Sequence, residues 1–147
     1  MRLVIGSDHA GFELKEAVEK HLVAAGFAVE DLGPHNEDSV DYPTYAFAVA
    51  SAVASCADTL GILVCGSGIG MSIAANKVPG IRAALVSDIQ NATLARLHNN
   101  ANVLCMGGRM IAADRACQMV DAWLNTEFEG RHQRRIDLIT AQEKGSH

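Results

Sequence analysis

Five short runs rich in β-branched and aliphatic residues alternate along this chain with longer amphipathic or alanine-rich segments, and that alternation leaves few folds open. The runs cover residues 3–6, 28–32, 60–65, 82–86 and 102–106. Their apolar character is that of strands buried on both faces, as parallel strands are. The segments between and after them, 11–25, 42–56, 70–77, 88–99 and 112–124, are long enough to be crossover helices. The pattern predicts an α/β fold in three layers, with five parallel strands between two helical layers. In the first helix Leu14, Val18, His21 and Leu22 recur at helical spacing, Glu16 and Lys20 stand at i,i+4, and Gly26 supplies a stop. A last segment, 131–144, reads as an extra C-terminal helix outside the alternating unit, with Ile136, Leu138 and Ile139 as its apolar positions.

The 147 residues, 49% of them hydrophobic, suffice for one sizeable core, so one domain spanning 1–147 is expected. A net charge of -5 argues against a general nucleic-acid or membrane-surface binder, while leaving room for a local basic patch aimed at a small anion. No run approaches the roughly 18 apolar residues of a membrane span, and residues 1–5 lead straight into Ser7-Asp8-His9. Neither a signal peptide nor an anchor is expected. Cys56, Cys65, Cys105 and Cys117 form no CxxC pair, which suits reduced thiols in a cytoplasmic protein.

In an open parallel sheet, ligands bind beyond the carboxyl ends of the strands, so the polar residues there are the candidates for chemistry. After the third strand comes Cys65-Gly66-Ser67-Gly68-Ile69-Gly70-Met71-Ser72, whose glycines can turn backbone amides around an oxyanion. No Gly-Lys-Ser/Thr closes it as a P-loop, and the third glycine falls one residue early for the dinucleotide fingerprint. A tight strand-to-helix turn without a ligand is the bland alternative. Cys65 stands first in that loop, where neighbouring amides would favour a thiolate able to act as a base. The other three cysteines read as small buried hydrophobes. Asp8 and His9 end the first strand and could bind sugar hydroxyls or a phosphate, or move a proton, although Asp8 could equally cap the helix that follows. His98 and Asn99 end a helix, where the histidine could merely complement the dipole. Arg131 and Arg135 are placed at i,i+4 on one helical face, where they could bracket a phosphate together with Arg109, or form a solvated basic surface. Among the remaining histidines, His21, His35, His132 and His147, only His132 gains from its basic neighbours.

Taken together, Gly6-Ser7-Asp8-His9-Ala10-Gly11, Asp41-Tyr42-Pro43, the 65–70 loop, Ala74-Ala75-Asn76-Lys77, His98-Asn99 and Gly130-Arg131-His132-Gln133-Arg134-Arg135 resemble the type B ribose-5-phosphate isomerases and the related galactose-6-phosphate isomerase subunits. The resemblance covers nearly the whole chain. It implies a Rossmann-like sheet of five parallel strands, in a homodimer or a dimer of dimers whose active sites are shared between subunits. It also implies an aldose–ketose isomerase of ribose 5-phosphate and ribulose 5-phosphate that needs no cofactor and no metal.

By this resemblance Cys65 is the base that moves the proton through an enediolate. Ser67 occupies the position of a hydroxyl residue, often threonine in the family, that moves a proton between the sugar oxygens. The amides of Gly66, Gly68 and Gly70 stabilise the enediolate. His98 with Asp8 opens the furanose ring, Asn99 and Tyr42 contact sugar hydroxyls, and His9, Arg109, Arg131 and Arg135 contact the phosphate. Some members use a glutamate six residues after the cysteine position; here Met71 stands there, which places the chain in the cysteine-type branch. Allose 6-phosphate or galactose 6-phosphate as substrate, or a non-catalytic sugar-phosphate-binding subunit, are the alternatives.

Overall fold

The computed structural model describes residues 1–145; His147, one of the weaker histidine candidates, lies outside the described residues. Five strands, β1 (Arg2–Ser7), β2 (Ala28–Asp31), β3 (Thr59–Cys65), β4 (Ala83–Leu85) and β5 (Val103–Gly107), form one parallel sheet in the order β2-β1-β3-β5-β4. Helices α1 (Phe12–Ala24), α2 (Tyr42–Ser55), α3 (Ile69–Ala75), α4 (Ile89–Asn99) and α5 (Ala113–Leu124) are the crossovers and the closing helix. A 3₁₀ turn, Gly130–His132, leads into α6 (Gln133–Gly145). The expected three-layer α/β architecture is therefore present, and every expected element lies within two residues of an observed one.

Alternation along each strand divides the core in two, because successive side chains point to opposite faces. Leu3, Ile5, Ile62, Val64, Leu104 and Met106 face α1, α4 and α5, with Trp123 fully buried among them. Val4, Leu63, Cys65, Val103 and Cys105 face α2 and α3. Cys65 is thus a core position by period and a loop position by sequence: it ends a strand that is buried along its whole length.

The first helix departs from its sequence reading on one face. Leu14, Val18 and Leu22 are buried as expected, but His21 is half-exposed and bonded to Asp121 at 2.8 Å. Glu16 bonds Lys15 at 3.0 Å, not Lys20. Lys15 itself is fully buried, and its ammonium lies 2.6 Å from the carboxylate of Asp31 at the end of β2. The other oxygen of Asp31 accepts the amide of Gly33 at 2.8 Å, so one ion pair anchors both the helix and the loop leaving the sheet. The helix stops where expected: Phe27 donates to the Leu22 carbonyl at 3.1 Å and Gly26 to Val23 at 3.0 Å, with Gly26 at φ +95. That is a Schellman closure, which requires the left-handed residue glycine tolerates.

The C-terminal helix also differs from expectation. It begins at Gln133 instead of 131, and only Ile136 is buried, while Leu138 and Ile139 stay 62% and 53% exposed. No helix among the described residues is long and apolar enough to cross a membrane.

Candidate active site

The sheet order sets the position of the site. From β1 the chain moves to one side for β2 and returns across to the other side for β3, so the carboxyl ends of β1 and β3 flank a crevice. Ser7 is in register with Val64, and Cys65 with Gly107. The residues after these three strands therefore converge. A cavity of about 620 Å³ opens there, lined by Asp8, Tyr42, Cys65, Gly66, Ser67, Gly70 and Arg109, together with Ile69, Ile73 and Met110.

Main-chain bonds hold the loops in place. Gly108 donates to the Cys65 carbonyl at 2.7 Å and Arg109 to the Gly66 carbonyl at 3.1 Å, locking the loop after β5 onto the loop after β3. Asp8 donates its amide to Val64 at 3.1 Å, and its carboxylate accepts the Gly11 amide at 3.0 Å. Asp8 therefore both tightens the turn into α1 and, although only 8% exposed, lines the cavity. The cap position itself belongs to Gly11.

Within the loop, the Gly68 amide donates to the Cys65 sulfur at 3.2 Å, a bond that strengthens when the acceptor carries charge. Gly68 makes this contact at φ +81, and an added Cβ would come within 2.7 Å of Leu85 and 2.8 Å of the Met106 carbonyl carbon. Gly70 is the floor beneath Tyr42: a Cβ there would meet the ring at 2.6 Å. Ser67 accepts the Ile69 amide at 3.2 Å and remains exposed to the cavity. The neighbouring thiol of Cys105 is fully buried, and burial, reinforced by Cys65, pushes its pKa far up. Cys105 stays a thiol, as the expected small buried hydrophobe, whereas Cys56 is exposed and Cys117 half-buried, against that expectation.

His9 accepts the Val40 amide on Nδ1 at 3.2 Å, which leaves its proton on Nε2. Neither His9 nor the other expected residues His98, Asn99, Arg131 and Arg135 line the Cys65 cavity. Helix α4 explains the separation. It starts beyond the carboxyl end of β4 and runs back for 11 residues, about 16 Å, to the opposite end of the sheet.

There the ring of His98 packs against that of His132 at a tilt of 43°, with centroids 4.5 Å apart, and lies 3.8 Å from Glu129. Arg131 and Arg135 do not share an α-helical face, because Arg131 belongs to the 3₁₀ turn and Arg135 to α6. Arg131 is held by Glu129 at 2.6 Å, and Arg135 donates to Nδ1 of His132 at 3.2 Å. Desolvation lowers the His132 pKa, with Arg131 and His98 adding repulsion, while the hydrogen bond from Arg131 lowers that of Glu129. The Nε2 of His132 is buried without a partner. His98, Glu129 and His132 bring possible metal-ligand atoms within 4.8 Å of one another, but the flanking arginines oppose a cation and favour an anion.

A family model for ribose/galactose isomerases matches residues 3–139. The chain belongs to that family. Among ribose/galactose isomerases it is 47% identical to ribose-5-phosphate isomerase B of Escherichia coli K12, over 97% of each chain. The structure of ribose-5-phosphate isomerase B from Clostridium thermocellum superposes with a TM-score of 0.96 at 46% identity, covering 100% of both chains. That of the Mycoplasma genitalium enzyme with bound ribulose 5-phosphate superposes with a TM-score of 0.93 at 47% identity, covering 97% of this chain and 96% of that one.

Three apolar wall residues, Ile69, Ile73 and Met110, carry no sequence signal of their own, although Ile69 stands between Gly68 and Gly70 and Met110 follows Arg109. Glu129 was missed as well. Its signal was its position two residues before Arg131, where a carboxylate can pair with the basic run.

Proposed function

We propose that the chain is one isomerase domain that interconverts ribose 5-phosphate and ribulose 5-phosphate, with Cys65 as the base. The observation that carries this reading is the Gly68 amide donating to the Cys65 sulfur within a cavity that also holds Asp8, Ser67 and Arg109. In the open-chain sugar, the Cys65 thiolate removes the proton from C2, and the electron pair moves onto the carbonyl oxygen at C1 to give an enediolate. The glycine-loop amides stabilise that oxyanion, and Ser67 carries a proton between the oxygens on C1 and C2. The Cys65 thiol then returns its proton to C1, yielding the ketose and restoring the thiolate.

Ring opening needs a second proton carrier at the ring oxygen, and His98 takes that role opposite Asp8. Since α4 carries His98 to the far end of its own sheet, the reading requires His98, Asn99, Arg131 and Arg135 from a second copy of the chain. In that arrangement His9 and Arg109 of one chain and the two arginines of the other contact the phosphate, and Tyr42 and Asn99 contact sugar hydroxyls.

The test is turnover of ribose 5-phosphate, allose 6-phosphate and galactose 6-phosphate in the presence of a chelator, with wild type beside Cys65→Ala. Cysteine-dependent turnover that prefers the pentose is expected. Preference for a hexose would keep the chemistry and change the substrate, and no turnover of any of the three would sink the assignment.

A further inference from the structure

At the amino ends of the strands, opposite the Cys65 cavity, Arg82 and Arg96 line a separate cavity of about 260 Å³ with Thr59, Asn100 and Asn102. Both arginines are half-buried. Arg82 donates to the Asn100 carbonyl at 2.9 Å, and Arg96 to the Ala101 carbonyl at 3.1 Å, so the two side chains are held in place by the end of α4. Burial lowers both pKa values, the charge of Arg82 lowers that of Arg96 further, and Glu143 offsets part of the effect for Arg82. The hydroxyl of Thr59, a residue only 5% exposed, has no hydrogen-bond partner. Asp58, the acid at the rim, is paired with the α-ammonium of Met1 at 3.0 Å.

We propose that this cavity binds a small oxyanion, either free phosphate or the phosphate group of a small ester, between Arg82 and Arg96 with the Thr59 hydroxyl as a third donor. Two like charges held near each other in a partly desolvated place repel, and an anion between them converts that repulsion into two charge-assisted contacts. It also gives the orphaned hydroxyl an acceptor, which a buried polar group ordinarily has. The volume lies just below the roughly 300 Å³ at which pockets for drug-sized ligands begin, so the fit is to a small ion or short ester and not to a nucleotide. The site stands independently of the isomerase reading. It does touch the same machinery, because Arg82 also donates to the carbonyl of Asn99, the residue after His98.

The full chain, labelled with ¹⁵N, is titrated with inorganic phosphate at constant ionic strength, following the amides of Thr59, Asn100 and Asn102 against those of Gly66 and Gly70. Saturable shifts in the first group are expected, with affinity about tenfold weaker in Arg96→Gln and in Thr59→Val and the second group responding as before. Absence of saturable shifts in the first group, or an affinity unchanged in Thr59→Val, overturns the site. The threonine variant leaves the arginine-to-carbonyl bonds untouched, so it decides alone if Arg96→Gln does not fold. Glycerol 3-phosphate in a parallel titration separates the two sources: tighter binding than phosphate assigns the site to an ester, and equal or weaker binding to the free ion.

Discussion

The loop after β3 and the corner at residues 129–135 hold the two densest groups of candidate residues, and they are specified in opposite ways. Around Cys65 the backbone does the specifying: glycines without room for a Cβ, amides bonded across two loops, and a sulfur whose partner is a main-chain N–H. At the corner the side chains do it, through Glu129 holding Arg131, Arg135 on His132, and His132 against His98, on half-buried and exposed residues. Backbone geometry survives loss of a neighbour because many bonds over-determine it. A ring of exposed side-chain contacts is adaptable, which suits a surface that must close on a ligand or another chain. The first region can be pre-organised in one chain, whereas the second has no substrate cavity of its own with Cys65.

The sharpest break in this contrast is Cys65→Ala, expected to slow isomerisation by about 10³-fold, within the range for loss of a positioned proton carrier, while ligand affinity stays within about twofold. If two chains share each site, mixing unfolded Cys65→Ala and His98→Gln chains and refolding them together restores about a quarter of wild-type activity, since half the dimers are mixed and each carries one intact site. Zero recovery after verified mixing would return His98 to its own chain. Next in size is Gly68→Ala, which forces a side chain onto a left-handed backbone and into Leu85. Urea unfolding is expected to show a loss of about 2 kcal/mol or more, and a neutral result would mean the loop is softer than its contacts indicate.

Arg135→Ala tests the corner and should raise KM about tenfold with kcat nearly unchanged, because it removes a binding charge and no proton carrier. The smallest effect concerns pH. The folded-state pKa of His132 lies below its ordinary value, so the unfolded chain binds more protons in the window just under that value. The histidine's penalty is therefore absent above the ordinary imidazole range and grows as pH falls through it. Melting midpoints at pH 7 and pH 5 should differ less in His132→Gln than in wild type, by about 1 °C. An unchanged difference would show that other groups carry the acid sensitivity.

Much of the frame was legible in the sequence because parallel strands and crossover helices leave periodic and positional marks. The run from Thr59 to Cys65 can hardly be anything except a central strand, and the crevice at β1 and β3 follows once the order of strands is seen. Strand order itself is a long-range property, and β5 inserting between β3 and β4 leaves no local signature. The misread parts are those in which one residue satisfies two neighbours. Arg131 and Arg135 fit helical spacing, yet Arg131 lies in a 3₁₀ turn, paired with Glu129. Lys15 carries no local sign of its burial, because the carboxylate that holds it, Asp31, lies 16 positions away.

That ion pair has a consequence for how such a chain can change over generations. Losing Lys15 leaves the nearly buried Asp31 without its cation, and losing Asp31 leaves the fully buried Lys15 only the half-exposed Glu16, at a cost of about 3 kcal/mol or more, whereas exchanging both for apolar residues of matching volume can be close to neutral. The direct path between the two solutions passes through a chain that folds poorly. Positions 15 and 31 should therefore be inherited as a unit, and a descendant carrying a neutral residue at one should carry a compensating residue at the other.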